Sequence, residues 1–181
     1  MATITFKGQP ARTSGDLPQV GRPCPDFCLA GTDLGDITLT SLEGRRVILN
    51  IFPSLDTKVC ADTVRVFNER ATEAADTLVL CISMDLPFAH QRFCGAQGLD
   101  RVVPASAFRS PEFGTYFGVR ILDGPLEGLL ARAIVALDEY GTVMHTQLVR
   151  EITQEPDYDL AIAIIRDHHH ACPEDAFLSS E

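Results

Sequence analysis

The stretch RRVILNIFPSLDTKVCADTVRVFN, residues 45–68, decides the fold. Its opening run, RRVILNIF, is almost continuously apolar and β-branched, which predicts a strand buried on both faces at the centre of a sheet covered by helices. After a turn, small and apolar side chains recur at helical spacing and predict one buried helix face. That face comprises Cys60, Val64, Phe67, Ala71 and Ala74. A strand leading through a turn into a helix is typical of layered α/β folds.

The pattern continues on both sides of this unit. Downstream, TLVLCIS predicts a second buried strand, and LPFAHQRFCGAQG predicts a short helix. RVVPASAF is strand-like, and LLARAIVALDEYGTVMHTQLV predicts a β-hairpin that turns at its DEYG segment. Upstream, TITFKGQPAR predicts an N-terminal hairpin that turns at Lys7-Gly8.

The end of the chain predicts a closing helix in DYDLAIAIIRDHHH. The side chains expected to face inward are Leu160 and Ile164, with Ala161 and Ile165 as further candidates. The whole pattern predicts an α/β fold with a central mixed sheet flanked by helices. We expect a single domain over 1–166, with the hairpin in 1–15 and a loose tail over 167–181.

Composition narrows the function. The chain has 181 residues and a formal net charge of −10, without a basic block, which argues against binding to nucleic acid or to an anionic membrane surface. The N-terminus lacks the apolar core of a signal peptide, and no run is long enough to span a membrane. We therefore expect a cytoplasmic protein whose six cysteines stay reduced. No pair of them forms C-x-x-C.

Cys60 follows a buried strand and lies where the helix begins. Asp56 or Thr57 is the natural N-cap, and with Thr57 as the cap Cys60 becomes the third helical residue. First-turn N–H groups and the positive helix end then favour a thiolate, the nucleophilic form. The position alone leaves open that Cys60 is a small core residue, a metal ligand or half of a structural disulfide.

Arg132 lies within an apolar strand, where a guanidinium must either reach solvent or meet an anion. A thiolate, or a peroxide oxygen that gains charge beside it, would serve as that anion. An edge-strand arginine that reaches solvent is the alternative.

Cys94 lies near the end of a short helix that Gly95 and Gly98 weaken. A helix end of this kind opens at low cost, as a resolving cysteine requires. The alternative is a buried structural cysteine.

These features together resemble a known family. PSLDTKVC matches the P-x-x-x-T-x-x-C signature of peroxiredoxins, with Pro53, Thr57 and Cys60 in register. The longer segments resemble the bacterial thiol peroxidase (Tpx) subfamily of atypical 2-Cys peroxiredoxins. They are VGRPCPDFCL, FPSLDTKVCADTVRVFN, CISMDLPFAHQRFCGAQGL and GPLEGLLARAIVALDEYGTV.

The resemblance implies a role for each site residue. Cys60 would be the peroxidatic nucleophile and Cys94 the resolving thiol, joined during turnover by an intramolecular disulfide. Thr57 and Arg132 would orient the peroxide and stabilise the thiolate, and Pro53 would shield it. The chemistry would need neither a metal nor another cofactor.

The resemblance also implies partners. The fold would be thioredoxin-like with an N-terminal β-hairpin, and the assembly a homodimer. Thioredoxin would be the reductant, and the substrates would be hydrogen peroxide and alkyl or lipid hydroperoxides. A redox sensor on the same fold is a competing function, as is a thiol–disulfide oxidoreductase, although the missing C-x-x-C argues against the latter.

Some residues fall outside this scheme. Lys58 occupies a slot in which the family has a small residue or proline, so its charge either supports the Cys60 thiolate or faces solvent. We expect Asp85 and Pro87 to cap the following helix.

The remaining cysteines have other expected roles. Cys81 is expected in the core, and Cys24 and Cys28 as packed or idle thiols. The segment HHHAC, which ends at Cys172, lacks the spacing of a structural zinc site and is expected to be a solvated helix end.

Overall fold

A computed structural model describes residues 1–74 and 76–167. The strands in this part of the chain are β1 (Thr3–Phe6), β2 (Gln9–Arg12), β3 (Cys28–Ala30), β4 (Asp36–Thr38), β5 (Arg46–Ile51), β6 (Thr77–Ser83), β7 (Val103–Ser106), β8 (Ala133–Leu137) and β9 (Val143–Leu148). The α-helices are α1 (Lys58–Arg70), α2 (Pro87–Gln97), α3 (Glu112–Tyr116) and α4 (Tyr158–Asp167).

Seven strands form one mixed sheet in the order β4-β3-β7-β6-β5-β8-β9, and β1 and β2 form a separate hairpin. Strand β5 is an interior strand next to the middle strand β6, and all six of its residues are buried. It pairs in parallel with β6 and antiparallel with β8. The carboxyl ends of β5 and β6 therefore lie at the same edge of the sheet as the amino end of β8. The predicted mixed sheet and the N-terminal hairpin are confirmed.

Helix α1 lies on one face of the sheet, as the spacing predicts. Cys60, Val64 and Phe67 are fully buried in the apolar cluster that joins α1 and α4 to the sheet. The α-helix ends at Arg70 and continues as a short 3₁₀ turn, so Ala71 is only partly covered and Ala74 is buried beyond the helix.

Helix α4 differs from the prediction in its rotation. Leu160 is 44% exposed and Ile164 is only partly buried, so the prediction that both face inward is wrong for Leu160. The buried residues are Ala161, Ile162 and Ile165. The cause is Tyr158, whose ring packs edge-on against Phe67 at 5.2 Å between centroids and brings the 158–161–165 stripe to the sheet.

None of the helices within residues 1–74 and 76–167 is both long and apolar enough to cross a membrane. Most of the predicted tail, residues 168–181, lies outside the described residues, as do the HHHAC segment and Cys172.

Candidate active site

Cys60 occupies the first turn of α1, and none of its surface is exposed. The chain leaves β5, passes through a loop that begins at the buried Pro53, and enters α1 with Thr57 in an extended conformation at the N-cap. Cys60 is therefore the third helical residue, as predicted with Thr57 as the cap.

The Thr57 hydroxyl contacts the Cys60 sulfur. It forms no side-chain hydrogen bond to the backbone N–H groups of the first turn of α1. Its Oγ1 lies 2.7 Å from Sγ of Cys60 and 3.0 Å from the carbonyl oxygen of Ser54. The hydroxyl has one proton to donate. It can donate to a Cys60 thiolate, or it can donate to Ser54 while it accepts from the thiol.

Arg132 is the largest fully buried side chain in the described part of the protein, at 1% exposure. It lies just before β8, an interior strand, so the solvent-facing edge position is wrong. Its Nη2 donates to Sγ of Cys60 at 3.2 Å, its Nη1 to Oγ1 of Thr63 at 3.2 Å and its Nε to the carbonyl oxygen of Ile152 at 3.1 Å.

The partners of Arg132 leave its charge available to the thiol. Its hydrogen bonds within the described residues go to a sulfur, a hydroxyl and a carbonyl, and none goes to a carboxylate. Thr63 also accepts from the Tyr158 hydroxyl at 3.2 Å, and burial raises the pKa of Tyr158 to about 12. The hydrogen bonds to neutral groups thus hold the Arg132 guanidinium in an orientation in which Nη2 points at Cys60 Sγ.

A cleft of about 390 Å³ reaches two of these groups, Thr57 and Arg132, which both line it. Its walls are mostly apolar and come from the hairpin, the Cys60 loop, the segment before β8 and the segment after β9. The apolar wall residues are Phe6, Pro53, Val59, Leu126, Leu129 and Ile152, and the polar residues Lys7, Lys58 and Thr153 also line the cleft. This volume is in the usual range for small-molecule sites.

Asp85 holds the Cys60 loop in place. Its carboxylate accepts from the Ser54 hydroxyl at 2.8 Å, the Leu55 N–H at 2.7 Å and the Ser83 hydroxyl at 2.7 Å. The expectation that Asp85 caps α2 is wrong, because Leu86 is the N-cap residue. The Asp85 carboxylate instead accepts hydrogen bonds from the Cys60 loop. Pro87 is the first residue of α2, as predicted.

His90 extends this network into α2. Its Nε2 lies 3.0 Å from the Ser83 hydroxyl, which already donates to Asp85, so the ring nitrogen must be the donor. Its Nδ1 is buried without a hydrogen-bond partner. Burial lowers the pKa of His90 to about 4, against the opposing effect of Asp85.

Sequence reasoning missed this network, although a signal for it exists. Ser54 follows β5 closely, and Ser83 and Asp85 end or follow β6. Because β5 and β6 are parallel, their carboxyl ends meet at one edge of the sheet. Polar residues after two such strands predict contact between the loops.

Cys94 lies in the last turn of α2 and is 8% exposed. Burial raises its pKa. Cys60 and Cys94 are both free thiols, and no hydrogen bond joins them in the described structure. Their helices are neighbours, because Arg65 of α1 donates to the Gln97 side chain of α2 at 3.1 Å. The helix ends at Gly98, whose φ of 64° is left-handed.

Lys58 faces away from the thiol. Its side chain is 89% exposed, and its ammonium pairs with Asp62 at 2.6 Å. Asp62 also pairs with Arg65 at 2.8 Å. Of the two readings of Lys58, the structure supports a solvent-facing charge.

The other described cysteines are free thiols as well. Burial raises the pKa of both Cys24 and Cys81 to about 12, and Cys81 lies in the core as predicted. Cys28 is exposed. Among the residues that the structure describes, no group of three metal-ligating side chains is placed to hold a metal ion.

Comparison with known proteins identifies the family of this chain. The sequence profile of the Redoxin family matches residues 19–162. Thiol peroxidases of Mycobacterium bovis (strain ATCC BAA-935 / AF2122/97) and Mycobacterium tuberculosis (strain ATCC 25618 / H37Rv) are each 55% identical over 165 residues, which cover 91% of this chain and 99% of theirs.

Solved structures give the fold. A peroxiredoxin-like protein from Aquifex aeolicus superposes with a TM-score of 0.86 at 36% identity, over 92% of this chain and 97% of its own. A thiol peroxidase from Chromobacterium violaceum has a TM-score of 0.84 at 21% identity, over 92% of this chain and 97% of its own. The thioredoxin-like fold is confirmed, and the chain belongs to the redoxin family, with thiol peroxidases as its relatives.

Proposed function

We propose that this thiol peroxidase reduces hydrogen peroxide and organic hydroperoxides at Cys60 and completes its cycle through an intramolecular disulfide with Cys94. The observation that carries the proposal is the contact of the Arg132 guanidinium with Cys60 Sγ at 3.2 Å in a buried site. A guanidinium without a carboxylate partner is stabilised there by a thiolate or by an anionic oxygen.

The first step is attack of the Cys60 thiolate on the terminal peroxide oxygen. A sulfur–oxygen bond forms and the oxygen–oxygen bond breaks, so Cys60 becomes a sulfenic acid and the leaving oxygen takes a proton to become water or an alcohol. Thr57, Arg132 and the first-turn N–H groups of α1 are placed to stabilise charge as it moves from sulfur to the leaving oxygen. Pro53 lines the cleft beside them.

The second step joins the two cysteines. The Cys94 sulfur attacks the Cys60 sulfenic acid, which forms a disulfide and releases water. Both thiols are buried and unbonded to each other, and a disulfide requires Cα atoms within about 7 Å. We infer that the first turn of α1 and the last turn of α2 open during turnover to bring them together. The glycine at position 95, inside the last turn of α2, favours opening at the end that carries Cys94.

The cycle ends when an external dithiol reduces the disulfide and becomes oxidised itself. The proposal takes thioredoxin as this reductant, a homodimer as the assembly and the cytoplasm as the location. The apolar walls of the cleft support alkyl and lipid hydroperoxides as substrates beside hydrogen peroxide.

The test is to treat the reduced protein with one equivalent of cumene hydroperoxide and to map its disulfides by mass spectrometry. We expect an intramolecular Cys60–Cys94 bond, which migrates as a monomer on non-reducing gels. Cys60→Ser should contain no such bond and should consume no peroxide. Unchanged peroxide consumption by Cys60→Ser would overturn the proposal, and a wild-type protein oxidised once without thioredoxin-driven turnover would favour a sensor.

A further inference from the structure

Helix α2 buries an imidazole and a thiol on one face. They belong to His90, which is 1% exposed, and Cys94, which is 8% exposed. Residues four apart lie one above the other on the same helix face. A movement of α2 that frees Cys94 to meet Cys60 therefore acts on the contacts of His90 in the preceding turn.

A continuous line of hydrogen bonds leads from His90 to the start of α1. Nε2 of His90 donates to the Ser83 hydroxyl at 3.0 Å, and that hydroxyl donates to Asp85 at 2.7 Å. The Asp85 carboxylate also accepts from the Ser54 hydroxyl at 2.8 Å. The carbonyl oxygen of Ser54 in turn accepts from the hydroxyl and the N–H of Thr57, at 3.0 and 3.2 Å. Because Thr57 is the N-cap of α1 and contacts the reactive sulfur, the line joins the helix of the second thiol to the peroxide site.

Ser83 makes the two ends of this line interdependent. Its side chain is fully buried, so a lost partner is not replaced by solvent. Its oxygen accepts from His90 and from the Asp85 N–H, the latter at 3.1 Å, while its single proton goes to the Asp85 carboxylate. A hydroxyl that accepts a hydrogen bond becomes a better donor, so the bond from His90 strengthens the bond to Asp85. Loss of either bond weakens the other.

Strand β7 and the residue after it fix the backbone around Ser83. The carbonyl oxygen of Ser83 accepts from the Ala107 N–H at 2.9 Å, and that of Asp85 accepts from the Ser106 hydroxyl. This middle part of the line is therefore attached to the sheet, whereas the Cys60 loop and α2 are the parts that move in the proposed cycle. Neither Asp85 nor the histidine of α2 lines the cleft in the described structure, so any effect of theirs on the reaction passes through other residues.

We propose that Asp85 and His90 are positioning residues that couple the opening of α2 to the opening of the Cys60 loop. In the closed state, the line of hydrogen bonds holds both segments in place. When α2 withdraws His90, Ser83 binds Asp85 less tightly and the Cys60 loop is released with the helix. Both thiols then become free to approach each other in one cooperative step. This inference rests on the proposed disulfide step and names residues that control it.

The test is a double-mutant cycle measured by amide hydrogen exchange of the reduced protein. The proteins are the wild type, His90→Leu, Ser83→Ala and the double variant. Mass spectrometry follows exchange in residues 54–60, which form the loop and the first turn of α1, and in residues 88–97 of α2. Strand β5 (Arg46–Ile51) is the reference, because its buried amides exchange on global unfolding.

We expect His90→Leu to speed exchange in residues 54–60 about fivefold or more relative to β5, as for the loss of one buried hydrogen bond. In the Ser83→Ala background, the same substitution should leave residues 54–60 unchanged, because the line is already cut. A persistent effect in that background would show that His90 acts by packing on Phe52, whose ring centroid lies 6.5 Å away, and would overturn the inference. An effect of His90→Leu that is confined to α2, or that is equal in β5, would overturn it as well.

A conservative variant separates positioning from general loss of packing. His90→Gln retains an N–H donor for Ser83, so exchange in residues 54–60 should stay within about twofold of the wild-type rate. Exchange as fast as in His90→Leu would contradict a role for the hydrogen bond.

The carboxylate has a matched control elsewhere in the fold. Asp138 accepts from the N–H groups of Tyr140 and Thr142, at 2.9 and 2.7 Å, in the turn between β8 and β9 at the opposite edge of the sheet. Asp85→Ala should speed exchange in residues 54–60 and in α2, whereas Asp138→Ala should change neither. Equal effects of the two substitutions would remove Asp85 from the coupling.

The exchange cycle does not depend on peroxide chemistry. If hydroperoxide gave no Cys60–Cys94 disulfide in the wild type, the proposed function would fail, and the coupling would still be decided on the reduced protein. If the disulfide formed and the cycle showed independent opening of the two segments, this inference alone would fail.

Discussion

Arg132 makes the strongest prediction at the scale of single residues. Arg132→Ala removes the guanidinium from Cys60 and should slow the reaction with peroxide more than tenfold, which corresponds to about 1.4 kcal/mol or more of transition-state stabilisation. Arg132→Lys retains a charge without the planar fork and should be intermediate. Stopped-flow rates are measured beside urea unfolding, because the side chain is buried. A wild-type rate in a folded Arg132→Ala would remove this residue from the site.

Two substitutions of Thr57 distinguish the contribution of its hydroxyl group from that of its methyl group. Thr57→Ser keeps the oxygen beside Cys60 Sγ and should react with peroxide within about threefold of the wild-type rate. Thr57→Val keeps the shape and loses the hydrogen bond, so we expect a reduction of at least about tenfold. The same stopped-flow assay gives both rates. Equal losses in the two variants would show that the hydroxyl is not the contributing group.

The core of the site could be predicted from the sequence because its signals are local. Cys60 and Thr57 lie three residues apart at a helix start. Arg132 in its apolar run leaves two possibilities, an anion or solvent, and the family resemblance favours the anion. The roles of Asp85 and Lys58 could not be predicted in this way. From the sequence, the Asp85 carboxylate could either cap the helix that follows it or accept hydrogen bonds from a loop some thirty residues away. Which of the two occurs depends on the parallel pairing of β5 with β6.

At the scale of elements, the stability of α2 should control the competition between the disulfide and overoxidation. Gly95 is helical, and an added Cβ would meet no atom within 4 Å. Gly95→Ala should therefore stabilise α2 by about 0.5–1 kcal/mol, slow the approach of Cys94 to the Cys60 sulfenic acid and increase the sulfinic acid formed under excess hydroperoxide.

The next residue provides the opposite change. Ala96 is exposed in the same helical turn, so Ala96→Gly should destabilise α2 by a similar amount and reduce the sulfinic fraction. Mass spectrometry of Cys60 after a series of peroxide doses measures both variants. If the two substitutions moved the sulfinic fraction in the same direction, opening of α2 would not be the controlling step.

At the scale of the whole molecule, His90 makes stability depend on pH. Its pKa is about 4 in the folded protein and about 6.5 in an unfolded chain. As the pH falls through 6.5, the unfolded chain gains a proton that the folded protein does not, so stability decreases until the pH reaches about 4. The unfolding free energy should fall by about 2 kcal/mol between roughly pH 7 and pH 5 from this group.

The variant His90→Gln tests this assignment, because glutamine retains an N–H donor for Ser83 and does not titrate. Urea unfolding at the two pH values should give a smaller loss of stability for His90→Gln than for the wild type. His145→Gln is the matched control, since burial lowers the pKa of the less buried His145 in the same direction. An identical pH dependence in His90→Gln and the wild type would contradict the assignment.

The architecture follows from sequence patterns more fully than its details do. Apolar runs and helical spacing predict the order of elements and the interior position of β5, because both depend on burial. The rotation of α4 was predicted wrongly although the sequence holds a signal for it, since Tyr158, Ala161, Ile162 and Ile165 follow i, i+3, i+4, i+7 spacing and Tyr158 packs on Phe67. Strand order likewise depends on pairings between distant segments.

The complete burial of Cys60 has a consequence for the direction of electron flow. A small hydroperoxide can enter the cleft, whereas a bulky disulfide, such as an oxidised partner protein, cannot approach the sulfur of the closed reduced enzyme. Thiol–disulfide exchange requires direct access to the attacking sulfur. We therefore expect exchange with the surrounding disulfide pool to be slow in the reduced state and, in the proposed cycle, to become possible once oxidation opens the helices. Burial would then make that cycle kinetically one-way, with electrons passing from a dithiol reductant to peroxide.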